Sequence, residues 1–252
     1  MTRPVVFSAS SVNSYQNCHL QWYFTYVLAE PSVQSEPQRV GIAVHDAAEL
    51  YLKGTIARTS VVHVEPTLRL LEHIFRDEIL PTYETPVLIE ATFQIEVNGI
   101  PFSGVIDSVD RRHIGPLPEV DWDSEGRELM IETEFDVNIL RDLKTTGSRP
   151  APGKYRFAMT GYWLGATDLG YEPDAAQLDY IVRTKTPYYW PEVMDPITDH
   201  DINIFAATLE SVAGGVARAD YEPTGLGSSW ACKSCGYRDI CGPYQRYTER
   251  LL

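Results

Sequence analysis

Residues 138–146 read NILRDLKTT and combine a short apolar run with the pattern Asp-x-Lys at Asp142 and Lys144. In a strand, side chains alternate between faces, so Asp142 and Lys144 point to one side while Leu143 points to the opposite, packed side. Such a carboxylate and ammonium can form a surface ion pair of little energetic worth. Alternatively, the carboxylate holds a metal ion and the lysine acts on a water bound to that metal. The rest of the chain decides between these two interpretations.

Length and composition predict one globular domain spanning residues 1–252, because 44% of the residues are hydrophobic and 22% are charged. No run of about 18 apolar residues is present, which excludes a membrane-spanning helix. The first residues, MTRPVVFSASSVNSYQNC, lack the apolar core of a signal peptide, so we predict a cytoplasmic, non-secreted protein. In that reducing setting, four cysteines favour metal binding or catalysis over disulfides.

Charge is unevenly distributed along the chain. The net charge of −14 by itself argues against a nucleic-acid-binding protein. However, residues 117–136 carry eight acidic residues against one arginine, and residues 141–156 carry five basic residues against one aspartate. The second stretch could contact phosphates locally. The predicted DNA-binding residues are Arg141, Arg149, Lys154 and Arg156.

The order of predicted elements is typical of an α/β protein with a sheet flanked by helices. Helices are predicted over residues 8–26, 38–52, 67–79, 154–169 and 202–217. Strands are predicted over residues 87–97, 100–111, 128–133, 136–145 and 177–183, with Asn98-Gly99 as a hairpin turn, an acidic loop or extension before residue 128, and an aromatic loop at 188–190. A helical part (1–80), a core (83–220) and a loop-like, cysteine-rich part (221–252) follow from this order.

One candidate site combines Asp107, Asp142 and Lys144, with His45 as a potential fourth member. Two carboxylates on adjacent strands repel each other unless a cation lies between them. Mg²⁺ or Mn²⁺ takes oxygen ligands and leaves room for a phosphate. Lys144 could orient a metal-bound water or stabilise charge on that phosphate. A histidine among small apolar residues of a helix is more often a core residue, so His45 has two interpretations.

The second candidate site consists of the four cysteines, Cys18, Cys232, Cys235 and Cys241. A CxxC pair with a third cysteine close by indicates a four-thiolate site, which either Zn²⁺ or an iron–sulfur cluster can occupy. Zinc sites usually draw their ligands from two close pairs. One distant ligand and a compact trio favour a [4Fe–4S] cluster, which would connect the first helix to the C-terminal segment.

These motifs together resemble the PD-(D/E)XK nuclease superfamily, in its RecB-like iron–sulfur branch. Each quoted stretch is similar to one motif of that branch: FSASSVNSYQNCHLQWYFTY (7–26) to the opening cysteine helix, with His19 in place of a proline; GIAVHDAAEL (41–50) to the G-x-x-x-H helix; GVIDSVD (104–110) to G-x-I-D; RDLKTT (141–146) to D-x-K-T; and CKSCGYRDIC (232–241) to the terminal cysteine clamp.

The resemblance implies a restriction-endonuclease-like mixed sheet flanked by helices, whose N- and C-terminal segments are clamped by the four-cysteine cluster. It implies that His45, Asp107, Asp142 and the backbone carbonyl of Leu143 hold the metal, and that Lys144 is catalytic. A Gln-x-x-x-Tyr pair is expected in the next helix. Tyr162 matches its tyrosine and is a candidate catalytic residue, whereas Ala158 stands in place of the glutamine.

The predicted function is therefore that of a Mg²⁺- or Mn²⁺-dependent DNA exonuclease acting on single-stranded or frayed ends in recombination, repair or CRISPR-like processing. The alternative is a partner subunit of a helicase, recombinase or integrase that keeps the fold with little or no activity. The acidic composition and Ala158 favour the partner subunit, whereas the complete His, Asp, Asp, Lys set favours the enzyme.

Overall fold

The helices and strands are those of a computed structural model that describes residues 5–32, 34–122, 128–151, 153–224, 232 and 235–249. The helices are α1 (Ala9–Asn17), α2 (His19–Trp22), α3 (Glu36–Leu52), α4 (Pro66–Ile74), α5 (Arg156–Asp168), α6 (Asp199–Ala217) and α7 (Gly242–Glu249). The strands are β1 (Thr85–Val97), β2 (Ile100–Trp122), β3 (Glu128–Thr146), β4 (Ala175–Val182) and β5 (Tyr188–Met194). Among the helices described, none combines the length and the apolar character needed to cross a membrane.

The strands form one five-stranded mixed sheet in the order β1-β2-β3-β4-β5. β3 and β4 run parallel, and the other neighbours are antiparallel. The β1–β2 hairpin turns at Asn98 and Gly99, which both adopt positive φ angles of 51° and 77°. Such a two-residue turn fixes the register of the whole hairpin, in which Val97 pairs with Ile100.

Helices cover both faces of the sheet, which confirms the predicted α/β class. On one face, Phe102 of β2 and Leu140 of β3 pack with Met159 of α5 and Phe205 of α6. On the other face, apolar residues of α3 and α4 pack with Leu143 of β3. Leu140 and Leu143 therefore belong to different cores, as the alternation of side chains requires for strand residues an odd number of positions apart.

Three sequence-based expectations differ from the structure. The helix predicted over residues 8–26 is broken at Cys18, whose φ of −165° and ψ of 115° are extended. The aromatic residues 188–190 begin strand β5 rather than a loop. Helix α7 lies within the segment expected to be loop-like. Of the two alternatives for the acidic segment, its described part adopts the extension, which prolongs the β2–β3 hairpin with Leu117 opposite Thr133.

The N-terminal segment is tied to distant parts of the chain by hydrogen bonds. The Phe7 amide donates to the Pro101 carbonyl at 2.9 Å, which fixes the start of α1 at the sheet. The Tyr15 hydroxyl donates to the Asp220 carbonyl at 2.8 Å. The buried Tyr237 places its hydroxyl 3.1 Å from the Thr25 hydroxyl. The N- and C-terminal segments thus contact each other through protein atoms alone.

Candidate metal and catalytic site

Three potential metal ligands converge from α3, β1 and β2. One ligand atom each of His45, Glu90 and Asp107 lies within 4.8 Å of the others. The His45 Nδ1 atom is 3.5 Å from Asp107 Oδ2. Two carboxylates and one imidazole form a donor set dominated by oxygen, which suits a hard divalent cation.

Close packing of α3 on β3 brings His45 to the sheet. Helix α3 begins with a capping box in which Ser35 and Gln38 satisfy each other's backbone amides. Gly41 lies so near β3 that a Cβ atom there would be 3.4 Å from Thr145 Oγ1. His45 follows one turn later on the same helix face. Helix α3 therefore packs against β3 in the turn that precedes His45.

Asp107 is oriented by the backbone of β3. The Leu143 amide donates to Asp107 Oδ2 at 2.8 Å. The Leu143 side chain is buried, as predicted, in the core that includes Val44 of α3. The amide of Leu143 thus serves the site through Asp107, and the proposed metal contact of its carbonyl stays a prediction.

Asp142 and Lys144 lie side by side on the opposite face from Leu143. Lys144 Nζ donates to Asp142 Oδ1 at 2.7 Å and is 2.5 Å from Oδ2. Both carboxylate oxygens of Asp142 therefore lie in contact with the Lys144 ammonium, and the two side chains form a close ion pair.

Burial and neighbouring charges shift the pKa values of both Asp142 and Lys144. Burial raises the pKa of Asp142 to about 6, with a contribution from the charge of Asp107 and an opposing one from Lys144. Burial alone would lower the pKa of Lys144, but the carboxylates of Asp142 and Asp107 raise it above its usual range. Lys144 is consequently a fixed cation at neutral pH and not a proton acceptor.

Glu90 is the residue that sequence reasoning missed. Its backbone adopts a φ of 47° within β1. Ile89 pairs with Ser108 and Ala91 with Ile106, which puts Glu90 opposite Asp107. Burial raises the pKa of Glu90 to about 7, and the neighbouring charge of Asp107 adds to the shift. The Asn98-Gly99 turn was the signal that could have revealed this pairing, because it sets the register.

Tyr162 lies beside the same site. Burial raises its pKa to about 12, followed by the effect of Asp142, so the phenol stays protonated. Its ring packs edge-on against Phe93 at 6.2 Å. Together with Lys144 and Lys154, Tyr162 lines a cavity of about 330 Å³. Ala158 lines the same cavity, as do the amide side chains of Asn13 and Gln16 of α1.

The four predicted DNA-binding residues differ in burial and in ion pairing. Arg141 cannot contact a phosphate, because its side chain is 0% exposed and is held by Asp179 at 2.9 Å. Arg156 is engaged by Asp201, at 2.8 Å and 2.7 Å. Lys154 lies at the cavity of Lys144, and Arg149 is exposed above the Trp190 ring. The expectation for Arg141 was therefore wrong, and Lys154 and Arg149 remain the accessible cations.

The four cysteines line one cavity, together with Phe24 and Tyr237. Burial raises the pKa of the Cys235 and Cys241 thiols, and the charge of neighbouring cysteines adds to it. The fold thus gathers residues that are more than 200 positions apart in sequence.

Comparison with known proteins links the chain to nucleases. A family model for the PD-(D/E)XK nuclease superfamily matches residues 6–84. This range includes Cys18 and His45 but not the carboxylates of the candidate site, Glu90, Asp107 and Asp142. No curated protein matches the chain. Seventeen chains of solved structures do. One is a presumed exonuclease from Eubacterium rectale, with a TM-score of 0.55, 11% sequence identity, and coverage of 94% of this chain and 93% of that one. At this identity the match shows a shared fold.

Proposed function

We propose that this protein is a divalent-metal-dependent deoxyribonuclease that hydrolyses phosphodiester bonds. The observation that carries the proposal is the convergence of His45, Glu90 and Asp107 beside the Asp142–Lys144 pair. The family match over residues 6–84 and the fold of the presumed exonuclease support it.

The donor set fits Mg²⁺ or Mn²⁺. Burial and the charge of Asp107 raise the pKa of Glu90 to about 7, so its ionised carboxylate is unfavourable without a cation. His45, Glu90, Asp107 and Asp142 would hold the metal, with the Leu143 carbonyl as the further expected ligand. When bound, the metal supplies Lewis acidity toward the phosphate and makes a bound water more acidic.

Side chains of the protein position the metal ligands and would stabilise the phosphate. The Leu143 amide fixes Asp107, and Asp142 fixes the ammonium of Lys144 at the cavity where a phosphate would lie. Lys144 stabilises negative charge on the phosphate as a permanent cation. Tyr162 keeps its proton and can donate a hydrogen bond from the far wall of the cavity. Lys154 adds a second positive charge at the entrance.

We assign the substrate as DNA with a free single-stranded or frayed end. The test is incubation of the pure protein with end-labelled linear and with circular single-stranded DNA, in Mn²⁺ and in EDTA. Digestion of the linear strand alone, and in Mn²⁺ alone, is the expected result. Equal digestion of the circle would replace an exonuclease with an endonuclease, and no digestion of either would contradict the enzyme.

Ala158 favours a second candidate, a subunit that keeps the fold and assists a helicase, recombinase or integrase. The glutamine expected there is missing from α5, and the net charge of −14 disfavours tight DNA binding. Absence of cleavage together with retained binding of DNA would support this candidate. The intact metal-ligand set makes it the weaker of the two.

We also propose that Cys18, Cys232, Cys235 and Cys241 hold a [4Fe–4S] cluster that joins the N- and C-terminal segments. Tetrahedral zinc, with Zn–S bonds of about 2.3 Å, requires sulfur atoms about 3.8 Å apart. Among the described residues, no three cysteines place their sulfur atoms within 4.8 Å of one another, which favours the larger cluster. Anaerobically purified protein should be brown and absorb near ~400 nm, whereas colourless protein with stoichiometric zinc would contradict the cluster.

A further inference from the structure

A polar groove runs along the exposed side of α1 toward the candidate catalytic site. Its cavity of about 460 Å³ is lined by hydroxyl and amide side chains, among them Ser10, Asn13, Ser14, Asn17 and Gln21. Ser10 and Asn13 also line the neighbouring cavity of Lys144 and Tyr162. The two cavities therefore adjoin each other at Ser10 and Asn13, and we call the first of them the α1 groove.

The charge of the α1 groove sets it apart from the rest of the molecule. About one residue in seven of the chain is acidic. Among the described residues that line the groove and the adjoining cavity, none is acidic, and Lys144 and Lys154 are the charged ones. A strongly acidic protein thus leaves these two cavities open to a polyanion, because like charges along them would repel phosphates.

The groove offers the two contacts that a nucleic-acid strand needs. Side-chain amides and hydroxyls can donate to phosphate oxygens without reading sequence. The amide of Asn13 is exposed and makes no hydrogen bond to the part of the chain that the structure describes. At the far end, Tyr26 lines the groove and is 45% exposed, which leaves its ring available for stacking on a base.

We propose that the α1 groove binds the sugar–phosphate backbone of one DNA strand and leads it to the catalytic site, with Asn13 at the junction and Tyr26 as the base-stacking residue. This inference rests on the proposed nuclease function for the identity of the strand. From Ser10 to Asn17 the helix spans about 10 Å. The groove therefore holds nucleotides beyond those at the reacting phosphate, and its effect depends on strand length.

The test is Asn13→Asp, which keeps the side-chain shape and places a negative charge in the groove. Asn203→Asp is the matched control, because Asn203 is exposed on α6 and lies outside both cavities. Binding of a fluorescent strand of about twenty nucleotides is measured by anisotropy in EDTA, where no cleavage occurs. We expect Asn13→Asp to weaken binding about tenfold and Asn203→Asp to leave it unchanged.

Cleavage in Mn²⁺ separates this inference from the function on which it rests. On the long strand, Asn13→Asp should raise KM about tenfold. Asn17→Asp, at a residue that lines the α1 groove but not the cavity of Lys144, should raise KM on the long strand and match the wild type on a strand of about three nucleotides. If the wild type cleaves DNA and Asn13→Asp has no effect, the proposed role of the α1 groove is wrong and the proposed nuclease function is unaffected. If Asn13→Asp weakens binding but the wild type does not cleave, the role of the groove is supported and the nuclease function is contradicted.

Two further variants test the α1 groove independently of Asn13. Asn17→Asp repeats the charge change one turn away, and thermal unfolding verifies that each variant is folded. Tyr26→Leu keeps an apolar contact with Trp22 but removes the aromatic face. We expect it to weaken binding of the long strand about threefold to tenfold. Wild-type affinity in all three folded variants would refute the groove.

Discussion

The two faces of β3 carry two buried ion pairs that have opposite character. On one face, Arg141 is fully enclosed: it contacts Asp179, donates to the Thr82 hydroxyl at 2.7 Å, and stacks 3.6 Å above the Tyr83 ring. On the other face, Asp142 pairs with Lys144, and Lys144 borders a cavity. A fully enclosed ion pair stabilises a structure, whereas a pair beside a cavity is available for chemistry.

The largest expected effect is on activity, from Asp142→Asn. We expect a loss of about 10³-fold in kcat because the variant removes a metal ligand and releases Lys144. The free energy of unfolding should fall as well, because the variant leaves the Lys144 ammonium without the carboxylate that stabilises its charge. Mn²⁺-dependent cleavage and thermal unfolding measure the two quantities.

Asp110→Asn is the matched control for that prediction. Asp110 is a buried carboxylate on the Arg141 face and accepts hydrogen bonds from the amides of Glu84 and Thr85, at 3.0 Å and 2.9 Å. The same substitution there should lower stability and preserve the activity of the folded fraction. If Asp110→Asn abolished activity at full stability, the distinction between the two faces would be lost.

The next largest effect is on stability, from Arg141→Leu. Removal of this guanidinium leaves Asp179 buried without its cation, which costs about 3–5 kcal/mol of the free energy of unfolding. Arg111→Leu, at an exposed position of β2, should cost less than about 0.5 kcal/mol. Chemical denaturation compares them, and equal costs would mean that the Arg141 network contributes little.

A smaller effect concerns pH. Glu90 has a pKa of about 7, raised from its ordinary value near 4.5. Its unfolded form thus loses a proton at lower pH than its folded form, so the metal-free protein loses stability, of order 1–2 kcal/mol after discounting for partial exposure, as pH rises toward 7. Metal binding requires the deprotonated carboxylate. Mn²⁺ should therefore raise the melting temperature more at pH 8 than at pH 6.

The variant Glu90→Gln tests whether Glu90 causes this pH dependence. It removes the titrating group, so the metal-free variant should keep its melting temperature between pH 5 and pH 8 better than the wild type. Its gain from Mn²⁺ should also be smaller at pH 8. An identical pH profile for both proteins would exclude Glu90 from the metal site.

The smallest effect is expected for Tyr162→Phe. The ring packs on Phe93 and this contact survives the change, so the melting temperature should stay within about 2 °C. Loss of one hydroxyl donor to the substrate should lower kcat about threefold to tenfold. A loss as large as that of Asp142→Asn would instead give Tyr162 an essential role.

The sequence predicted the functional face of β3 better than the structural one. Alternation placed Asp142 and Lys144 together, and their contact confirms it. The same alternation puts Arg141 on the side of Leu143, but counting basic residues over 141–156 assigned it to the surface. Local charge measures how many cations a stretch carries, and strand parity decides which of them reach solvent.

Two other features were missed for different reasons. Glu90 lies in a stretch that alternates like an ordinary strand, and its carboxylate gains a role only from the pairing with Asp107. The register set by the Asn98-Gly99 turn contains that pairing, but alternation within a single strand does not. The break at Cys18 could not be predicted, because helical spacing of the apolar residues continues across it.

The ties between the N- and C-terminal segments have a consequence for protein synthesis. Tyr15 and Asp220 are 205 positions apart, and Thr25 and Tyr237 are 212 apart. A ribosome adds about 5–20 residues per second, so α1 waits at least ten seconds or so for these partners. Until they emerge, the wall of the α1 groove that contains Tyr237 is missing. If the α1 groove binds DNA as proposed, this binding surface is complete only after residue 237 has been synthesised.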